Sequence, residues 1–238
     1  MFHKLIQNYI NYFPRPIQRV YSRIRLKRNY NPDQYKNPVY QSSLGALHYY
    51  KCIFIHIPKN AGISVSYTLF GNTGGSHRKL IDYQRIFGKK TVSKYYKFSF
   101  VRNPWDRLVS TYFFLINGGL TNRDKKWTEE HISDYKDFTD FVLNWVQIEQ
   151  VNTSLHFQEQ HRFLTNHKGE LDVDFLGRFE TLDQDFQKVC QHLQLDRSLR
   201  KTNSSKRKND YRSYYNDETK AVVENVYAKD IQLFNYSF

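Results

Sequence analysis

The chain has 238 residues, 39% hydrophobic and 17% aromatic, so it is long enough for one α/β domain with a buried core and too apolar for a disordered tail protein. Its formal net charge of +13 indicates an anionic partner: a nucleotide, a polyanion, nucleic acid or a membrane surface. Two cysteines, Cys52 and Cys190, are too few for a disulfide framework, and their apolar surroundings are typical of reduced core residues.

Residues 1–40 combine four prolines with many charges, which indicates an arm outside the core and leaves 41–238 as a single domain. The arm alternates basic and apolar residues without a continuous apolar stretch or a small-residue cleavage site, so no secretory signal is expected. No segment approaches the ~20 apolar residues of a membrane span. We therefore expect a cytoplasmic protein whose arm either lies on an anionic membrane surface or packs against protein.

Strand-like and helix-like segments alternate along the rest of the chain. Short apolar runs predict strands, and amphipathic stretches predict helices. The expected strands are 51–57, 97–101 and 172–179, and the expected helices are 63–70, 77–87, 104–116, 137–146, 182–193 and one from about 216 onward. Residues 117–133 are polar and are expected to form a loop. This alternation predicts an α/β fold with a mainly parallel central sheet flanked by helices.

The turn after the first strand carries the sequence HIPKNAGIS at 56–64. A helix that starts at the carboxyl end of a parallel strand presents free backbone N–H groups to a phosphate. Gly62 permits close approach of the backbone, Lys59 adds a mobile positive charge, and Ser64 adds a hydroxyl donor. The Walker sequence G-x-x-x-x-G-K-[ST] does not occur, which argues against an ordinary nucleoside-triphosphate loop. Taken alone, this segment is equally compatible with a polar turn.

A second strand, turn and helix start occur in the sequence FSFVRNPWDRLVS at 98–110. Arg102 is expected at the carboxyl end of the strand, where a planar guanidinium can bind a phosphate through two hydrogen bonds. Ser110 follows about two turns into the helix. The alternative is that Arg102 pairs with Asp106 or with a carboxylate elsewhere, and that Ser110 only lets the helix pack.

Together the two motifs resemble the PAPS-dependent sulfotransferases, PAPS being 3′-phosphoadenosine 5′-phosphosulfate. HIPKNAGIS is similar to their 5′-phosphosulfate loop, and FVRNPWDRLVS is similar to their 3′-phosphate motif. The resemblance is closest to the carbohydrate branch, which includes chondroitin 4-O- and uronyl 2-O-sulfotransferases and small bacterial relatives. It covers roughly residues 50–238, including RFETLDQDFQKVCQHL and the final segment 214–238. Asn60 and Ile63 stand where this family often has threonine.

The resemblance implies a P-loop-like sulfotransferase fold and transfer of a sulfuryl group from PAPS to a carbohydrate hydroxyl, with no metal required. The expected contacts to the 5′ side of the nucleotide are Pro58, Lys59, Asn60, Ala61, Gly62, Ile63 and Ser64. Arg102 and Ser110 are expected to hold the 3′ phosphate. The basic loop with Ser205, Lys206 and Arg207 is expected to close over the nucleotide, although most such charge runs are simply solvated.

Sulfuryl transfer needs a group that stabilises the leaving oxygen and a base for the acceptor hydroxyl. Lys59 is expected near the bridging oxygen, and His77 is expected to be the base, because histidine titrates near neutral pH. His156 and Glu159 are the alternative bases. The resemblance also implies that His156 and Gln160 contact the substrate.

Two other functions compete with this interpretation: a different P-loop-like transferase such as a kinase, and a basic nucleic-acid-binding protein. The missing Walker sequence argues against the first. The second lacks a recognisable nucleic-acid motif, so no nucleic-acid partner is expected. The basic arm and loops fit an anionic glycan and a membrane surface equally well. The spacing of His156, His161 and His167 does not suit one helix face, so no metal site is expected.

Overall fold

The computed structural model describes residues 43–72, 74, 77–199 and 210–238. The predicted arm at 1–40 and the predicted nucleotide contacts Ser205, Lys206 and Arg207 lie outside these residues. The strands are β1 (Cys52–Ile55), β2 (Tyr96–Val101) and β3 (Phe175–Arg178). The α-helices are α1 (Ser43–Tyr49), α2 (Gly62–Phe70), α3 (Leu80–Phe87), α4 (Lys89–Val92), α5 (Pro104–Ile116), α6 (Asn122–His131), α7 (Phe138–Trp145), α8 (Ile148–Val151), α9 (His161–Leu164), α10 (Leu182–Leu193), α11 (Asp217–Val226) and α12 (Ala228–Phe234), with a 3-10 helix at Tyr211–Tyr214.

The three strands form a parallel sheet in the order β1-β2-β3. Ile55 pairs with Ser99 across the first ladder, and the Ser99 hydroxyl also donates to the Ile55 carbonyl at 2.6 Å. Because the strands are parallel, their carboxyl ends lie along one edge of the sheet. This arrangement confirms the expected α/β fold and brings the two motifs, which follow β1 and β2, to the same edge.

The sheet lies within the first of two apolar clusters. All four residues of β1 are buried, and α1, α2, α3 and α10 contribute side chains to the same cluster. Both cysteines are free and buried here, as expected for core residues. The amphipathic stripe predicted after residue 181 is the face of α10 that buries Phe186, Val189 and Cys190.

The second apolar cluster joins α5 and α7 to α11. It includes α6, which lies in the stretch 117–133 that the sequence predicted to be a loop. That prediction was wrong because α6 begins with a capping box, in which Thr121 accepts from the Asp124 N–H and Asp124 accepts from the Thr121 N–H. Trp127 then packs its ring against Trp145 and Phe157. A polar helix is therefore stabilised by its cap and by the aromatic contacts of Trp127, which hydrophobic periodicity does not reveal.

Candidate functional site

The loop between β1 and α2 has an unusual backbone. Lys59 and Ala61 both adopt left-handed conformations, with φ values of 70° and 57°, which are uncommon for residues other than glycine. Ala61 is the N-cap of α2 and carries no side-chain oxygen, so it cannot accept from the first N–H groups of the helix. The start of α2 is therefore not capped by the side chain of its N-cap residue, and the backbone N–H groups of a helix start fit a phosphate or sulfate group.

The packing around Gly62 leaves no room for a side chain. A Cβ atom at this position would lie 1.8 Å from Cδ2 of His56, which is itself only 4% exposed. The imidazole of His56 thus occupies the space that a side chain would need. The structure explains Gly62 by the packing of His56, and the expected close approach to a ligand stays a prediction.

Arg102 follows the end of β2 and turns toward the first loop. Its Nη1 donates to the Lys59 carbonyl at 2.8 Å, and its Nε donates to Asp106 at 2.8 Å. The guanidinium also stacks 3.9 Å from the ring centroid of Phe179. Of the two alternatives for Arg102, the pairing with Asp106 is present. Ser110 lies further along α5 and is 3% exposed, and the structure does not test the 3′-phosphate role of either residue.

Arg107, one turn into α5, links the first loop to the segment around His156. Its Nε donates to the Pro58 carbonyl and its Nη2 to the His156 carbonyl, both at 3.1 Å. Arg107 is 3% exposed, so both bonds are shielded from water. This side chain was not singled out from the sequence as a contributor to the site, and only its position inside FVRNPWDRLVS pointed to it.

Three histidine rings meet beside this loop. The rings of His56 and His77 have centroids 4.4 Å apart, and those of His77 and His156 have centroids 6.1 Å apart. The Nδ1 atom of His77 lies 3.0 Å from the His56 carbonyl. Since a carbonyl can only accept, the hydrogen must be on Nδ1 of His77. The neutral ring therefore keeps its lone pair on Nε2, which is the form that a general base needs.

The electrostatic surroundings favour neutral histidines. Burial lowers the pKa of His77 below its ordinary value of 6.5; the hydrogen bond to the His56 carbonyl opposes this, while the charges of Arg107 and Lys59 add to it. Burial also lowers the pKa of His156 to about 4, although the Asp124 carboxylate works in the opposite direction. The pKa of His56 is held well below 6.5 by its burial. All three rings are thus uncharged near neutral pH.

Lys59 lies in the same group of side chains. Its Nζ atom is 3.8 Å from the ring centroid of Phe114, whose ring in turn lies 5.5 Å from that of His156. The proximity of Lys59 is also one of the influences that lower the pKa values of His77 and His156. The structure therefore brings together Lys59, His77 and His156, which the sequence had placed up to 97 positions apart.

Asp124 is a member of this site that the sequence analysis missed. Its Oδ1 lies 4.0 Å from Nε2 of His156, and its Oδ2 accepts from the N–H groups of Leu120 and Thr121. Burial alone would raise the pKa of Asp124, but these hydrogen bonds outweigh it and lower the pKa, so the carboxylate is ionised. The T-x-x-D capping pattern at 121–124 was the available signal.

Three of the predicted site residues have buried side chains. Gln160 is 0% exposed, and its amide oxygen accepts from Asn60 Nδ2 at 2.7 Å and from the Arg102 N–H at 3.0 Å. A side chain so placed is not available to a substrate, which corrects the predicted substrate contact of Gln160. Asn60 is 1% exposed, so only its backbone can meet a nucleotide. Glu159 is 7% exposed and accepts from Arg162 Nε at 2.5 Å, an arrangement that does not suit a free base.

The described part of the chain also bears on metal binding and on membrane insertion. No group of three or more His, Cys, Asp or Glu side chains in it has an arrangement that could hold a metal ion. Among its helices, none combines the length and apolar character that a membrane crossing requires.

Two neighbouring parallel strands that each end in a basic loop and a helix start lie at the edge where open α/β sheets bind their ligands. The sequence model described as "Sulfotransferase family" matches residues 46–237, and the chain belongs to this family. Membership supports an enzyme that transfers sulfuryl groups. An uncharacterised protein of Archaeoglobus fulgidus is 30% identical over 112 residues, which are 47% of this chain and 78% of that protein. No solved structure matches.

Replacement of His156 by glutamine is expected to reduce the loss of stability in acid. An unfolded histidine titrates near 6.5, whereas folded His156 has a pKa of about 4. Between these pH values the unfolded chain binds more protons than the folded chain. The free energy of unfolding therefore decreases by up to about 3 kcal/mol as the pH falls. Urea unfolding at pH 7, 6, 5 and 4 measures the change. In the control variant His167→Gln, at an exposed histidine, the unfolding free energy should change with pH as in the wild type. The same pH dependence in His156→Gln would contradict the expectation.

Proposed function

We propose that this chain transfers a sulfuryl group from PAPS to a hydroxyl of a carbohydrate. The observation that carries the proposal is the meeting of the two strand-end loops, joined by the 2.8 Å hydrogen bond from Arg102 to the Lys59 carbonyl. A ligand with a charged group at each end fits two such loops better than a ligand with one. PAPS has that form, with a phosphosulfate on the 5′ side and a phosphate on the 3′ side.

The first loop has the donors that the 5′ side needs. The backbone N–H groups at the start of α2 and the Lys59 ammonium are positively polarised groups in a partly buried turn. Bound PAPS supplies an activated sulfuryl group whose leaving group is a phosphate oxygen. Lys59 and the helix start oppose the negative charge that develops on that oxygen during transfer. This assigns the stabilising role to Lys59 and the holding role to residues 58–64.

His77 is the proposed base for the acceptor hydroxyl. Its hydrogen-bonded Nδ1 leaves Nε2 to accept the proton, and its lowered pKa keeps that nitrogen available at neutral pH. The ring of His156 lies 6.1 Å from that of His77 between centroids, and it is proposed to contact the acceptor. The carbohydrate acceptor is supported by the resemblance of the two motifs and the final segment to the carbohydrate branch, and the net charge of +13 fits an anionic glycan.

A transfer assay with labelled PAPS tests this function. The acceptors are a glycosaminoglycan, a neutral polysaccharide, a glycolipid and a simple phenol, and the binding ligands are adenosine 3′,5′-bisphosphate, ATP and duplex DNA. Label in at least one carbohydrate, with preferential binding of the bisphosphate, is expected. Transfer only to the phenol would overturn the carbohydrate acceptor. Preferential binding of ATP or DNA would overturn the PAPS donor.

Arg102→Ala and Ser110→Ala are expected to weaken binding of adenosine 3′,5′-bisphosphate far more than binding of AMP, which lacks the 3′ phosphate. A charged hydrogen bond contributes about 1.5–3 kcal/mol, which corresponds to roughly a 10- to 150-fold change in Kd. Calorimetric titration of both nucleotides measures the difference. Arg85→Ala removes an arginine whose side chain is 50% exposed and should bind both ligands normally. Equal losses of affinity for the two nucleotides would show that these residues do not bind the 3′ phosphate.

A further inference from the structure

Gln160 forms hydrogen bonds to both strand-end loops at once. Its amide oxygen accepts from Asn60 Nδ2 in the first loop and from the Arg102 N–H in the second. Its amide nitrogen donates to the Arg102 carbonyl at 2.8 Å. The side chain of Gln160 therefore forms two hydrogen bonds with the backbone of Arg102, one accepted and one donated, and a third with Asn60.

Asn60 and Gln160 are each anchored by a further hydrogen bond. Asn60 Nδ2 also donates to the Phe100 carbonyl in β2 at 2.8 Å. The backbone N–H of Gln160 donates to Asp230 at 2.6 Å, and Asp230 is 0% exposed. The bridge thus runs from the sheet, through both loops, to a buried carboxylate in α12. Among the described residues, Asn60 Oδ1 is the atom of this network that has no hydrogen-bond partner. The hydrogen bonds that are made lie in the low-dielectric interior, where such bonds are stronger than in water and help to hold one geometry.

The segment that carries Gln160 also carries His156. Arg107 fastens the other end of this segment, because it donates to the carbonyl groups of both His156 and Pro58. Residues 156–160 are consequently tied to the first loop at two points, with Arg107 near one end and Gln160 at the other.

We infer that Gln160 is a positioning residue that fixes the segment 156–160, and with it His156, relative to the loops of Lys59 and Arg102. This inference rests on the proposed function in one respect, namely that the two loops hold the nucleotide and that His156 faces the acceptor. Gln160 touches neither ligand. Its loss shifts the loops and the acceptor segment relative to one another, so the binding of both substrates and the turnover suffer together.

The central variant is Gln160→Met, which preserves the length of the side chain and removes its hydrogen bonds. The matched control is Gln158→Met, a change of the same kind at a residue 8% exposed on the same segment, whose amide oxygen has no hydrogen-bond partner among the described residues. Gln160→Glu is the conservative variant. A protonated glutamic acid can accept and donate as glutamine does, whereas a carboxylate cannot donate to the Arg102 carbonyl.

Three measurements are made at a temperature at which every variant is folded. Gln160→Met should speed hydrogen exchange of the Arg102 amide at least tenfold, and should lower kcat/KM for donor and acceptor about 10- to 100-fold, because small misplacements of catalytic groups are costly. The affinity of Gln160→Glu for adenosine 3′,5′-bisphosphate should approach that of the wild type as the pH is lowered. The affinity of Gln160→Met, relative to the wild type, should stay constant over the same pH range. Gln158→Met should match the wild type in kcat/KM and in Arg102 exchange.

A double-mutant cycle with Asn60→Ala completes the test. Because Asn60 and Gln160 share one hydrogen bond, their effects on nucleotide affinity should be less than additive. Unchanged Arg102 exchange in Gln160→Met, or additive effects with Asn60→Ala, would overturn the inference. A wild-type chain that binds no bisphosphate would instead overturn the proposed function, and the exchange rate of the Arg102 amide would still decide whether Gln160 fixes the loops.

Discussion

His77→Ala is expected to lower turnover about 100- to 10,000-fold, the range typical of a lost general base. The affinity for PAPS should hardly change, because the imidazole is proposed to meet the acceptor hydroxyl and not the nucleotide. The ring packs edge-on against His56 and is only partly exposed, so alanine also leaves a small gap. Thermal unfolding must therefore be measured alongside turnover to show that the variant is folded.

The dependence of this reaction on pH gives a second measure of His77. Only the neutral imidazole can take a proton, so wild-type turnover should rise with pH through one ionisation and then level off. Burial lowers the pKa of His77, which places this ionisation below 6.5. His77→Ala should remove the rise, and His131→Ala, at an exposed histidine that contacts the Trp127 carbonyl, should keep it. If turnover still rose with pH in His77→Ala but did not change with pH in His156→Ala, His156 would be the general base instead.

Lys59→Ala is expected to lower kcat about 100- to 1,000-fold, the loss usually seen when one group that stabilises transition-state charge is removed. The fold should tolerate the change. The left-handed backbone at position 59, with φ of 70°, is as strained for alanine as for lysine, and the lost contact with Phe114 is worth only about 0.5–1 kcal/mol. Single-turnover kinetics with saturating PAPS separate the transfer step from binding.

A matched control exists for this substitution. Lys220 lies 4.6 Å from the ring centroid of Phe238 and thus makes the same type of cation–π contact as Lys59, in another part of the molecule. Lys220→Ala should have normal turnover and a similar small change in stability. If Lys59→Ala turned over at the wild-type rate, the ammonium group would have no part in stabilising the leaving oxygen.

The strands and most of the larger helices could be predicted because their signals are local. β1 and β2 are short apolar runs bounded by polar residues, and α10 has a regular apolar stripe. The helix α6 escaped prediction because its residues are polar and its stability comes from a capping box and the contacts of Trp127. Capping residues carry information that periodicity does not, and the pattern Thr121 to Asp124 was readable in the sequence.

The sequence by itself determined the two strand–loop–helix motifs, and with them the family, because the order of residues within each motif is what family membership preserves. Only the tertiary structure decided which polar side chains face the site. Gln160 and Asn60 are 100 positions apart and form a hydrogen bond inside the protein, whereas Asp124 reaches His156 from a helix that was not expected. A buried amide must find its hydrogen-bond partner wherever the fold offers one, and the partner's position along the chain does not restrict that choice.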